Sequence, residues 1–124
     1  MPKMYIAEFS GKTDKNNHET FLKIGHTGKN DAMKRFSDYP NDYANWDIRI
    51  LATAYHHDID RCRGAEAAFQ AVYPKYDFIS NKSLYIEEKI NGVTEIVRLK
   101  PQQRYHLIQQ VRNLSERWKR ECFD

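Results

Sequence analysis

The sequence predicts an α+β fold: a small antiparallel three-stranded sheet flanked by helices, followed by a C-terminal β-hairpin and a basic helix. Three observations carry this. Two short β-type runs near the N-terminus are joined by a polar stretch, the segment from Trp46 to Tyr55 alternates with period two, and three segments carry apolar residues at helical spacing behind capping residues. With 124 residues, 40% of them hydrophobic and 13% aromatic, the chain has material for one domain with a real core.

The elements follow in order. Tyr5 to Phe9 and Phe21 to Gly25 read as two strands, and the stretch between them, with Gly11, Asp14, Asn16 and Asn17, reads as a long polar hairpin loop. From Asn30 to about Tyr39 a helix is expected, with Asn30 or Asp31 as cap and Ala32, Met33 and Phe36 on its apolar side, until Pro40 ends it. In the third strand Trp46, Ile48, Ile50, Ala52 and Ala54 fall on one face, which is expected to be the buried one. Asp58 or Asp60 caps a second helix to about Tyr73, its apolar side made of Ala65, Ala68, Phe69 and Val72, with Pro74 as the stop. The last part reads as a separate unit. Leu84 to Ile90, Asn91-Gly92 and Val93 to Leu99 form a hairpin signal, because Asn-Gly accommodates the two positive φ values of a type I′ turn. Pro101 then opens a helix to about Glu121 with Leu107, Ile108, Val111, Leu114 and Trp118 as its stripe.

Composition narrows the function. No apolar run is long enough to cross a bilayer, and Met1 to Tyr5 lacks the apolar core of a secretory signal, so a membrane partner is not expected. Cys62 and Cys122 lie in no metal or redox spacing, which fits two unpaired thiols in a reducing, cytoplasmic compartment, that of a host cell if the protein is viral. The net charge is only +3, but Arg98 to Arg120 holds seven cations against one anion. A basic tail on a mildly acidic body suits a polyanionic partner; a solvated helix face is the plainer explanation of the same charges.

Tyr5 on the first strand, Lys23-Ile24-Gly25-His26-Thr27 at the end of the second, Arg35 and Tyr39 one turn apart on the first helix, and Glu66 on the second occur in an order that resembles the GIY-YIG nuclease superfamily. The likeness covers about residues 4 to 81, leaving the hairpin and basic helix of residues 84 to 124 outside it. The glycine-isoleucine of the first motif is not kept in Met4-Tyr5-Ile6, and lysine stands where the second motif usually has tyrosine, as in some restriction enzymes and phage-type members. Pro40 disfavours helical geometry at Tyr39 and makes Tyr43 a substitute.

The resemblance implies a metal-dependent endonuclease that cuts DNA to 5′-phosphate and 3′-hydroxyl ends. It assigns catalytic roles to Tyr5, Lys23, Arg35, Tyr39 and Glu66, and makes Asn81 the late asparagine at the nucleic acid. The chemistry accounts for the residue types. Glu66 can anchor Mg²⁺ or Mn²⁺, since a hard cation that keeps its waters needs only one or two carboxylates. Arg35 offers a planar fork to two phosphate oxygens, Tyr5 can position water, and Lys23 is a candidate general base. His26 is a candidate phosphate contact or proton shuttle. Arg104, Arg112, Arg117, Lys119 and Arg120 would hold DNA, while the apolar stripe of the same helix docks on the domain or on a second copy of the chain.

Each assignment has a structural alternative: Tyr5 as a packing aromatic, Arg35 paired with Asp31 or Asp38, Gly25 as a turn residue. A lone acid among the small residues Gly64-Ala65-Glu66-Ala67-Ala68 is harder to explain structurally, because burying it without a partner is costly. A transition-metal set from His56, His57, Cys62 and Glu66 is the rival constellation, disfavoured because adjacent strand residues point to opposite faces. The rival function classes are a catalytically inactive nucleic-acid-binding module on the same fold and a protein-interaction module.

Overall fold

A computed structural model describes residues 1–12, 18–28, 31–37, 46–72, 96–97 and 99–123. Three ten-residue strands, β1 (Lys3–Lys12), β2 (His18–Thr27) and β3 (Trp46–Tyr55), and the two-residue β4 (Ile96–Val97) form one sheet in the order β3-β1-β2-β4, antiparallel at every step. The helices are α1 (Lys34–Ser37), α2 (Ile59–Val72) and α3 (Pro101–Phe123). The α+β class and the antiparallel sheet agree with the sequence reading. Of the expected hairpin, Ile96 and Val97 form a strand beside Leu22 and Lys23; Leu84 to Ile90 and Asn91-Gly92 lie outside the described residues.

The first two strands run longer than their apolar cores because the ladder continues unbroken from Lys3 opposite Thr27 to Lys12 opposite His18. Across it the Ser10 and Thr20 hydroxyl oxygens lie 3.4 Å apart, a polar pair of the kind that extends a sheet past its core. In β3 the expected single buried face is corrected. The register slips between Ile6, opposite Ala52, and Ala7, opposite Ile50, leaving Leu51 as an extra residue. Such a bulge inverts the alternation. Trp46, Ile48 and Ile50 therefore join one face of the sheet, and Ala52 and Ala54 the other.

Both faces are covered. On the first, Tyr5, Ala7 and Phe9 of β1 meet Phe21, Trp46, Ala32 and Phe36 in an aromatic cluster, with Phe9 and Phe36 edge to face at 5.3 Å. On the second, Met4 and Ile6 meet Leu22, Ile24, Ala52, Ala54, Cys62 of α2 and Leu107, Val111, Leu114 and Trp118 of α3. The C-terminal helix thus belongs to the main core and is no separate unit. Its apolar stripe docks on this chain's own sheet.

Local chemistry sets the helix starts. Asp31 caps the turn into α1, its Oδ1 accepting from Met33 N at 2.9 Å and its carbonyl from Lys34 N at 3.1 Å. Asp58 does the same for α2, its Oδ1 accepting from Asp60 N at 2.9 Å. At α3 the backbone N–H of Lys100 donates to Gln103 Oε1 at 3.0 Å, half of a capping box ahead of Pro101. The buried side of α2 also differs from the expected one. Cys62 and Glu66 are buried with Ala65 and Phe69 partly so, whereas Ala68 is exposed and Val72 is 71% exposed. Packing on β1 and β2 selects the 62/65/66/69 stripe, which turns a carboxylate inward.

Beyond β3, His56 and His57 are in the connection to α2 rather than on the strand, and both reach the last turns of α3. The His56 ring lies on the edge of Trp118 and its Nε2 is 3.2 Å from Glu121 Oε1, while Arg61 grips both oxygens of Glu121 at 2.7 and 3.1 Å. His57 Nε2 is 3.2 Å from the Cys122 carbonyl oxygen. The expectation that the two histidines diverge is therefore corrected. Hydrogen bonds from His56 and then Arg61 hold the Glu121 carboxyl below the ordinary carboxylate range. A carboxylate held down in the folded state stabilises it above the ordinary range, and the gain is lost as pH falls through the lowered folded value. Glu121→Gln should accordingly lower the urea midpoint at neutral pH, and the gap to the parent should close on acidification below the carboxylate range. A gap of constant size would show that the contact contributes by packing alone.

Candidate active site

Four of the sequence-predicted residues, Tyr5, Lys23, His26 and Glu66, lie at the end of β2, two on each side of the sheet. Lys23 follows the face of Phe21; it is 1% exposed, and its Nζ lies 5.5 Å from the centre of the Phe36 ring. Tyr5, fully buried, sits opposite Gly25 in the ladder and packs edge to face on the same Phe36 ring at 5.7 Å. An amine and a phenol drawn into an aromatic pocket are expensive to desolvate. Gly25 is needed here for space: a Cβ at this position would lie 2.5 Å from the Tyr5 hydroxyl oxygen and 2.6 Å from Cζ.

His26 and Glu66 form the other half. By strand alternation His26 shares the face of Leu22 and Ile24, toward α2. Its Nδ1 is 3.1 Å from Glu66 Oε2, with the two side chains 24% and 10% exposed. One turn further along α2, Gln70 Nε2 donates to the Ile24 carbonyl at 3.0 Å. Among the described residues β4 pairs with Leu22 and Lys23, and α2 packs on the face of β2 that carries Leu22, Ile24 and His26. Tyr5 and Lys23 occupy the α1 face and the His26–Glu66 pair the α2 face, with Gly25, bare of side chain, between them.

Arg35 belongs to α1, next in sequence to Phe36; its side chain, with Tyr39, Tyr43 and Asn81, lies outside the described residues. On α3, Arg112, Arg117, Lys119 and Arg120 are exposed, and Lys119 pairs with Glu116 at 3.2 Å. Arg104 is turned instead toward Glu8, which Arg49 also holds at 3.1 Å, so it serves a surface network between α3 and the sheet.

The rival metal set comes apart: His56 and His57 face α3, and Glu66 faces His26. Cys62 is fully buried in the core, and burial pushes its thiol up, keeping it a protonated apolar group. Among the described residues no cluster of three or more His, Cys, Asp or Glu side chains is placed to hold a metal, and no helix is long and apolar enough to cross a membrane.

Sequence reasoning missed the His26–Glu66 pair and Gln70. The spacing of Glu66 and Gln70, one helical turn, was the available signal for Gln70; nothing local connects residues 26 and 66. Comparison with protein-family models, curated proteins and solved structures finds no match to this chain.

Gly25→Ala checks the close approach of Tyr5. The phenol is clamped in the aromatic cluster and cannot swing aside, so the substitution should destabilise the fold by about 1–3 kcal/mol. The measurement is the urea midpoint at unchanged m-value; a midpoint within experimental error of the parent would mean that Tyr5 has room to move.

Proposed function

We propose that this chain is a metal-dependent endonuclease of the GIY-YIG type, hydrolysing DNA phosphodiester bonds at the end of β2. The observation that carries the reading is that the end of β2 holds buried Lys23 and buried Tyr5, pressed against Gly25, on one face of the sheet and the inward-turned Glu66, paired with His26, on the other. Lys23 and Glu66 are two of the few buried charged side chains among the described residues.

The donor set suits a hard cation. One carboxylate is enough for Mg²⁺ or Mn²⁺ that keeps water and substrate oxygens as its other ligands, and Glu66 supplies it. When bound, the cation would lower the pKa of coordinated water and draw charge from the phosphate. The chain's own groups do the remainder. By resemblance, Lys23 would take or hold a proton of the attacking water, the Tyr5 phenol would orient that water, and Arg35 on α1 would supply a guanidinium fork for the non-bridging oxygens. Tyr39 and Asn81 complete the set by resemblance. The exposed cations of α3 grip the DNA backbone away from the reacting bond, in a reducing cytoplasmic setting consistent with two free thiols.

One observation favours the competing reading, an inactive nucleic-acid-binding module: a Glu66 oxygen is already engaged by His26. Two experiments separate them. Glu66→Ala should slow Mg²⁺-dependent nicking of supercoiled plasmid by about a hundredfold or more, the usual scale for losing a main electrostatic stabiliser, while leaving DNA affinity nearly intact. Nicking at near the parental rate would make Glu66 structural, and a parent that binds DNA without cutting would favour the inactive module.

Replacing Arg117, Lys119 and Arg120 together with glutamine should weaken binding equally for all sequences and flatten its salt dependence by up to about 0.9 in log–log slope per lost phosphate contact. An unchanged slope would assign this face of α3 to solvent or to a protein partner.

A further inference from the structure

We propose that His26 is a positioning residue for Glu66: its Nδ1–H holds the carboxylate in the orientation that receives a divalent cation. The inference rests on the proposed metal role of Glu66 and extends it to a residue first read as a nucleic-acid contact.

A glutamate's last torsion is broad, so a carboxylate on a helix samples many planes unless something selects one. Here Oε2 meets His26 Nδ1 at 3.1 Å. An ionised carboxylate only accepts hydrogen bonds, so the Nδ1 that faces it carries the proton. The donor is rigidly mounted: His26 lies in β2 opposite Met4, a fully buried residue of the central strand, and the neighbouring Ile24 carbonyl is tied to α2 by Gln70. Strand and helix are thus pinned to each other at residues 24 and 70, and the His26–Glu66 bond spans the same junction one turn earlier on α2. A carboxylate already turned and partly desolvated loses less freedom on taking a cation, and hydrogen bonds of this kind to metal ligands commonly govern affinity by 10- to 100-fold. A pair that served only to satisfy a buried acid would influence folding and leave the affinity of the folded protein untouched.

The test is Mn²⁺ titration, read by the loss of the free-ion signal in electron paramagnetic resonance, on the full chain and on His26→Ala, His26→Asn, His26→Gln and Glu66→Gln, each first checked for cooperative thermal melting. Asparagine can place its amide nitrogen near the position of Nδ1, whereas glutamine carries it one bond too far. Glu66→Gln should abolish the site, His26→Ala should weaken Mn²⁺ binding about tenfold or more, and His26→Asn should recover most of it. Should the alanine variant fail to fold, the asparagine and glutamine variants decide: asparagine retaining and glutamine losing affinity supports the positioning role. Parental affinity in His26→Ala, or equal affinity in the asparagine and glutamine variants, overturns it while leaving the metal role of Glu66 standing. A parent that binds no Mn²⁺, or a Glu66→Gln variant that binds as the parent does, overturns the metal reading itself and this inference with it.

Discussion

β1 is hydrogen-bonded along both edges, to β3 and to β2, and covered on both faces, so five consecutive residues, Lys3 to Ala7, are buried. The rest of the molecule depends on that double enclosure. A strand without a wet face needs two separate apolar layers: the aromatic cluster with Phe36 of α1 on one side, and the aliphatic layer of α2 and α3 with Trp118 on the other. It also obliges any polar residue on β1 to find company inside. Lys3 does so with its Nζ 5.2 Å from the Tyr55 ring, burial lowering its amine while Asp31 works in the opposite direction. Tyr5 does so beneath Gly25.

The bulge at Leu51 follows from the same constraint. If β3 alternated without interruption, its large residues Trp46, Ile48 and Ile50 and its small residues Ala52 and Ala54 would crowd one layer. Inverting the phase sends the bulky half to the aromatic side and the two alanines to the side where Trp118 and Leu107 need depth. The strand that looked one-faced is two-faced in a single bend. With this arrangement α2 lies against β2 with Glu66 turned to His26, which sets a carboxylate on the face of the strand end opposite Lys23.

Charge divides along similar lines. The cations of α3 that face solvent are exposed and far in sequence from the residues at the end of β2, while Arg104 and Arg61 are consumed in holding α3 to the sheet and to the start of α2. Binding and chemistry, in the proposed reading, fall on different elements. That separation is what makes a change of salt dependence without change of nicking, and the converse, meaningful outcomes for variants at the two places.

The sequence by itself determined what local physics decides: the existence of the three long strands, the short choice of caps from which Asp31 and Asp58 come, Pro101 at the start of α3 and the apolar stripe through Leu107, Val111, Leu114 and Trp118. It also made Tyr5, Lys23 and Glu66 candidates by their type and order. Only the tertiary structure decided which side of α2 is buried, where β3 changes phase, that α3 shares the main core, and that residue 26 meets residue 66. Each of these depends on contacts between residues far apart in the chain, whose energies become available only once β1 is enclosed. Composition near Glu66 shows small neighbours; it takes the docking of α2 on β2 to turn that side chain inward against an imidazole.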